Sequence, residues 1–362
     1  MADPRIEEYA RLLVERSIDP QPGWQVVVLT NPAARPLVEE VVRLLGRRGA
    51  YPFVQISYGS EDLWPLEYVW AEEAPVETIG ERAPARAALE ESIHAWIRIG
   101  APENTREGTE LETERRTALA NAGRPLTARR LAFDIPWVTC RYPTPALAQD
   151  AGMSLRAFED FLYGAVLLDW DALGREMQRV ADRFDQAEEV RIVGDGTDLR
   201  FSIAGRDGVI DDGHVNMPGG EVFYCPVEDS TEGVVSFSEY PAVREPDLVE
   251  GVRMRYEGGR VVEASATANE EALIAALDRD EGARVLGEFG IGCNPGIQRH
   301  MKNTLFDEKM DGTIHLAVGS GIPIAGGKNQ SATHWDMVKD LRRGGRIELD
   351  GEVVQQDGKW LF

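Results

Sequence analysis

Lysine, histidine and cysteine are all scarce in this 362-residue chain, and each shortage excludes something. The only lysines are Lys302, Lys309, Lys328, Lys339 and Lys359, so arginine supplies every other cation against a formal net charge of −23. That balance repels polyanions and argues against nucleic acid or an anionic membrane as a partner. Cys140, Cys225 and Cys293 are odd in number and lack CxxC spacing. They read as free thiols in a reducing compartment and exclude a cysteine-based zinc site. No apolar run reaches about 18 residues, which excludes a membrane-spanning helix by hydropathy. The opening Met1-Ala2-Asp3-Pro4-Arg5-Ile6-Glu7-Glu8 has no signal-like region, so the cytoplasm is the expected address.

What is present alternates helix and strand. Ile6, Tyr9, Ala10, Leu12, Leu13 and Val14 give an apolar helical face, Trp24–Leu29 a buried strand, Pro36–Leu45 a helix and Pro52–Ile56 a parallel strand. Thr30-Asn31-Pro32 stands where a dinucleotide-binding unit carries G-x-G-x-x-G, so dinucleotide binding is not expected. Trp96–Ile99 reads as a further strand, and Arg115–Asn121 as part of a helix. Arg124, Arg129 and Arg130 form a loose basic cluster interrupted by Pro125, best read as a solvated face. Helical apolar spacing runs from Leu155 to Phe184, and a β-rich region starts at Val190 with a turn at Gly194-Asp195-Gly196-Thr197. The length exceeds one usual core. The expectation is an α/β chain: an N-terminal α/β scaffold domain with a parallel sheet over residues 1–185, then a C-terminal β-rich α+β metal-binding catalytic domain over 186–362.

The chemistry concentrates near the C-terminus. His334 and Asp336 sit at i and i+2 of an apolar-flanked run, which on a strand puts both on one face, roughly 6.5–7 Å apart from Cα to Cα. An imidazole beside a carboxylate is half of a divalent metal site. Upstream, His315 lies in a β-rich run, Thr313–Gly319, followed by a breaker-rich connection from Gly319 to Asn329. Two strands so joined can bring His315 beside His334 and Asp336. Glu288 stands among apolar and glycine residues, where an ionised carboxylate needs a partner or a metal. Glu308 precedes the His315 strand, and Glu221 opens a strand after Met217-Pro218-Gly219-Gly220. Lys328, in the Gly-Gly-Lys-Asn loop, is a candidate oxyanion donor or, more simply, a solvated loop lysine.

Taken in order, Gly219-Gly220-Glu221-Val222-Phe223, Pro226-Val227-Glu228-Asp229-Ser230, Gly287-Glu288 near Asn294-Pro295, Asn303–Glu308, His315–Gly319 and Asn329–Asp336 resemble the metallo-aminopeptidases of the aminopeptidase T and aminopeptidase S type. The resemblance runs from about residue 190 to the C-terminus and more loosely over the first hundred residues. It implies two divalent metal ions, zinc or cobalt foremost, with manganese, magnesium or iron as alternatives. The implied ligands are Glu221, Glu288, Glu308, His315, His334 and Asp336, with Glu288 bridging. It also implies a short peptide substrate and a homodimer. Two departures stand out: Ile322 occupies the position where the family usually carries tyrosine, and the Glu308–His315 spacing is slightly long.

The implied reaction is release of N-terminal residues by attack of a metal-bound hydroxide, with Glu288 or Glu308 accepting and returning the proton. Two other readings stay open. His315, His334 and Asp336 also match the facial triad of non-haem Fe(II) ring-opening dioxygenases, which resemble the same fold. A non-catalytic binding protein on a decayed scaffold would follow from Ile322 and would hold no tight metal.

Overall fold

A computed structural model describes residues 3–58, 67–244 and 247–362. The chain divides into two compact units, one of Met1–Leu167 with Gly213–Pro218, the other of Leu168–Asp212 with Gly219–Phe362. Among the described residues, no helix is long and apolar enough to cross a membrane.

The first unit is built on a five-stranded sheet of Tyr51–Ile56, Gln25–Thr30, Ala95–Gly100, Trp137–Arg141 and Asn216–Met217, in that spatial order and all parallel. Val26, Val27 and Val28 are fully buried, as the continuous apolar run of a parallel strand requires. The expected helix after the first strand spans Arg35–Arg47, with Leu37, Val41 and Leu45 turned inward. His94 is structural: its Nδ1 accepts the Gln25 amide at 3.2 Å and its ring stacks on Trp24. The basic cluster lies within a helix, Thr113–Leu131, that continues through Pro125. Its arginines are partly occupied internally, since Arg129 donates to the Glu90 carbonyl and the Arg130 guanidinium lies 5.3 Å from the Trp137 ring centroid.

The second unit begins with the helix Trp170–Phe184, whose Met177, Val180, Ala181 and Phe184 join the core formed by the C-terminal sheets. The helical run from Leu155 to Phe184 is in fact two helices, Leu155–Val166 and Trp170–Phe184. Asp169 ends the continuity by capping the second, its carboxylate accepting the Ala172 amide at 2.9 Å. Glu189–Gly194 and Thr197–Ser202 form the hairpin marked by Asp195-Gly196. They lie within an eight-stranded sheet, while a five-stranded antiparallel sheet carries the candidate site.

Candidate metal centre

The second sheet runs His334–Asp340, Thr313–Gly319, Leu286–Gly292, Glu221–Tyr224 and Val209–Asp211 in spatial order. Alternation sorts its residues, with an irregularity between Leu286 and Glu288 shifting the phase so that Glu288 leaves the core face. Val222, Tyr224, Leu286, Phe289, Ile291, Ile314, Leu316, Val318, Trp335 and Met337 belong to the buried core. The intervening positions form the other face. In register, Asp336 pairs with Ala317, which pairs with Glu288; His334 pairs with Gly319; His315 pairs with Gly290; and Glu221 pairs with Gly292. Each functional side chain thus neighbours a glycine or alanine, which leaves room above the sheet. Gly290 is the clearest case, because a Cβ there would fall inside the His315 imidazole. Glu221 is seated by Gly220, whose φ of +107° suits glycine, whose amide donates to Asp211 at 2.6 Å and whose carbonyl accepts from Cys293 at 2.8 Å.

Glu308 comes from outside the sheet, directly after the short helix Thr304–Asp307. The Asp307 carboxylate ties that turn down by accepting the amides of Met301 at 2.5 Å and Asn303 at 2.8 Å. All six expected residues converge, in two groups of donor atoms lying within 4.8 Å of one another: Glu221 with Glu308 and His315, and Glu288 with His334 and Asp336. The two histidines fall into different groups, joined by Glu288. His315 Nε2 lies 3.4 Å from Glu288 Oε1, and His334 Nε2 lies 3.1 Å from Glu288 Oε2.

The imidazoles are oriented as metal ligands usually are. His315 Nδ1 lies 3.0 Å from the Glu308 carbonyl, and His334 Nδ1 lies 2.9 Å from the Ser320 carbonyl. A carbonyl only accepts, so each Nδ1 carries the hydrogen and each Nε2 faces the carboxylates. Among the described residues, Glu221 Oε2 and Asp336 Oδ1 are buried and accept no hydrogen bond. Bare buried carboxylate oxygens beside inward-facing ring nitrogens are the donor set a divalent cation satisfies, so the residues fit the metal.

Burial and close neighbours strongly polarise the groups of the centre. Burial raises Glu221 to about 8 against the opposing pull of Lys309. Burial likewise raises Asp336 to about 6, opposed by His334. Glu288 is buried too, yet hydrogen bonds from both imidazoles hold it well below the usual carboxylate range. For His315, burial disfavours the charged ring, but the Glu288 hydrogen bond and the Glu221 charge outweigh it and raise the ring to about 10. His334 is also raised to about 10, with burial overcome chiefly by Asp336 and Glu288. His334 is the solvent-facing member, with 35% of its side chain exposed against 1% for His315.

One functional-site residue escapes the sequence reading. Lys309 is wholly buried, its ammonium 3.1 Å from Glu221 Oε1 and in contact with Glu308 Oε1. The available signal was a rare lysine between apolar Phe306 and Met310, directly after a candidate ligand. Lys328 is exposed, and its backbone amide donates to Glu228 at 2.8 Å. Ile322 brings no hydroxyl, and its backbone is tied to Cys225, whose Sγ accepts the Ile322 amide at 3.2 Å.

Similar proteins give this geometry a context. Aminopeptidase AmpS from Bacillus subtilis is 28% identical, over 99% of this chain and 98% of its own length. The solved structure of AmpT from Thermus thermophilus superposes with a TM-score of 0.83 at 23% identity, covering 99% of each chain. A 2,5-dihydroxypyridine dioxygenase from Pseudomonas putida shares the fold more distantly, with a TM-score of 0.59 at 13% identity, over 100% of this chain and 98% of that one. A model of the thermophilic metalloproteases matches residues 2–360, and the chain belongs to that family, M29.

Proposed function

We infer that the protein is a metal-dependent aminopeptidase, with its centre on Glu221, Glu288, Glu308, His315, His334 and Asp336. The observation that carries the reading is the pair of imidazoles, each fixed through Nδ1 to a backbone carbonyl, with Nε2 turned toward Glu288 and two bare buried oxygens nearby. Family membership and the aminopeptidase names of full-length relatives support it. A bound divalent cation, zinc or cobalt foremost, supplies Lewis acidity, lowering the pKa of water and polarising a carbonyl.

The protein's own groups do the remainder. Glu288 spans the two donor groups and holds both imidazoles in place. Glu308, whose side chain is 15% exposed against 6% for Glu288, accepts a proton from the attacking water and returns it to the leaving amine. The carboxylate-rich surroundings favour a substrate with a free, cationic N-terminus over a blocked one. Exposed His334 marks the side from which a peptide arrives. Free Cys140, Cys225 and Cys293 fit a reducing compartment such as the cytoplasm, and a homodimer is the expected assembly.

The facial-triad dioxygenase reading needs His315, His334 and Asp336 on one ion. Their division between two donor groups, with three further carboxylates, disfavours it. The test is hydrolysis of a panel of aminoacyl anilides and their N-acetylated counterparts, before and after chelator treatment. Cleavage confined to free amines and lost on stripping is expected. Equal cleavage of acetylated substrates, or full activity after stripping, would sink the reading.

A further inference from the structure

Lys309 is a fixed cation inside a cluster built for cations. Its ammonium lies between Glu221 and Glu308, the two carboxylates that converge with His315 into one of the candidate metal-binding groups. An ion held by that group would sit among the same oxygens. The side chain is 0% exposed, so the ammonium has no route to water without abandoning both carboxylates in the interior. The neighbouring group differs in holding no ammonium: among the described residues, Glu288 and Asp336 have imidazoles as their ion-pair partners, while a bare oxygen occurs in both groups, Glu221 Oε2 in one and Asp336 Oδ1 in the other.

We propose that Lys309 fills one of the two cation positions with the protein's own ammonium, so that the centre takes up a single tightly held divalent ion on Glu288, His334 and Asp336. This rests on the reading of the cluster as a metal centre, and it changes how many ions that centre holds. Like charge sets the scale. Two unit charges about 4 Å apart at an effective dielectric of about 20 already correspond to roughly three decades in affinity. A divalent ion beside the ammonium meets more than that, offset in part by buried Asp211, whose charge acts on both Lys309 and Glu221. Glu308 keeps its carboxylate near the centre under this arrangement, held by Lys309 rather than by an ion.

The experiment is equilibrium dialysis of the stripped full-length protein against cobalt(II), read by elemental analysis and by electron paramagnetic resonance for a coupled pair. Wild type is expected to plateau at one cobalt per chain, with any second ion bound at least ~100-fold more weakly. Lys309→Met, which keeps length and removes charge, is expected to take up two ions with affinities within ~10-fold and to show magnetic coupling. Lys309→Gln should behave likewise. Two tight ions in wild type overturn the proposal, and so does a folded Lys309→Met that still binds one. If neither variant folds, the wild-type stoichiometry alone decides. Anilide cleavage measured on the same samples separates the two ideas: one ion with no cleavage sinks the peptidase reading and leaves the stoichiometry standing. Two tight ions with cleavage sink only the stoichiometry.

Discussion

Substituting Gly290 by alanine tests the centre without touching a ligand. Gly290 faces His315 across the strand pair, and a Cβ at that position would occupy the imidazole itself. Its backbone is not in the left-handed region, so the added methyl introduces crowding and no dihedral strain. The ring cannot yield cheaply, because its Nδ1 is fixed to the Glu308 carbonyl at 3.0 Å and the side chain is 1% exposed. Overpacking of this kind costs about 1–3 kcal/mol of stability. Losing an oriented imidazole typically weakens metal binding 10–100-fold, equivalent to about 1.4–2.8 kcal/mol. Cobalt or zinc isotherms on the stripped protein, with thermal unfolding beside them, measure both. Gly164→Ala is the control, since it lies exposed in the helix Leu155–Val166 with nothing within 4 Å of the methyl it would gain, and should stabilise by about 0.5–1 kcal/mol. If Gly290→Ala binds metal as wild type does and melts where wild type melts, the ring does not sit over that glycine and the account of the sheet face is wrong.

Three further outcomes are expected. Glu288→Gln keeps the shape but removes the charge that both imidazoles share, and should lower metal affinity by at least ~100-fold and abolish anilide cleavage; near-normal binding would deny Glu288 its central place. The metal-free protein should lose stability as pH rises from about 6.5 to about 10. The folded state holds the His315 proton more tightly than the unfolded chain does, so that contribution is complete below the ordinary value of 6.5 and gone above about 10. Glu221, raised from 4.5 to about 8, acts in the same direction over its lower window, and a few kcal/mol is the scale, at about 1.4 per pKa unit. Melting temperatures of stripped protein across that range check the sign, and a flat or rising profile would contradict it. Metal uptake near pH 7.5 should release a proton from the His334 ring, visible as a buffer-dependent heat in calorimetry; its absence would mean that ring is already neutral.

Much of the centre was legible because strands report their faces through a period of two. His334 and Asp336 share a face by spacing alone, and Glu288 among Leu286, Phe289 and Ile291 had to be partnered once buried. Three of the five strands of the first unit were readable from the sequence, whereas Trp137–Arg141 and the two-residue Asn216–Met217 were not identified. The split at Leu167–Asp169 was not readable either, since apolar spacing continues through it while Leu167 leaves the helical backbone and Asp169 caps the start of the next helix. Lys309 was hidden for a different reason. Its side-chain direction depends on how the turn after Asp307 packs, with its carbonyl accepting the Asn294 amide at 2.9 Å, and that contact joins segments distant in sequence.

Position 308 serves the centre twice, through two chemically separate groups. The carbonyl that steers His315 belongs to the peptide unit and survives any replacement, whereas the carboxylate is a matter of side chain alone. Mutation there can therefore retune the electrical character of one half of the centre while the ring opposite keeps its anchorage. Together with the adjoining lysine, it makes a two-residue dial on a scaffold that need not move.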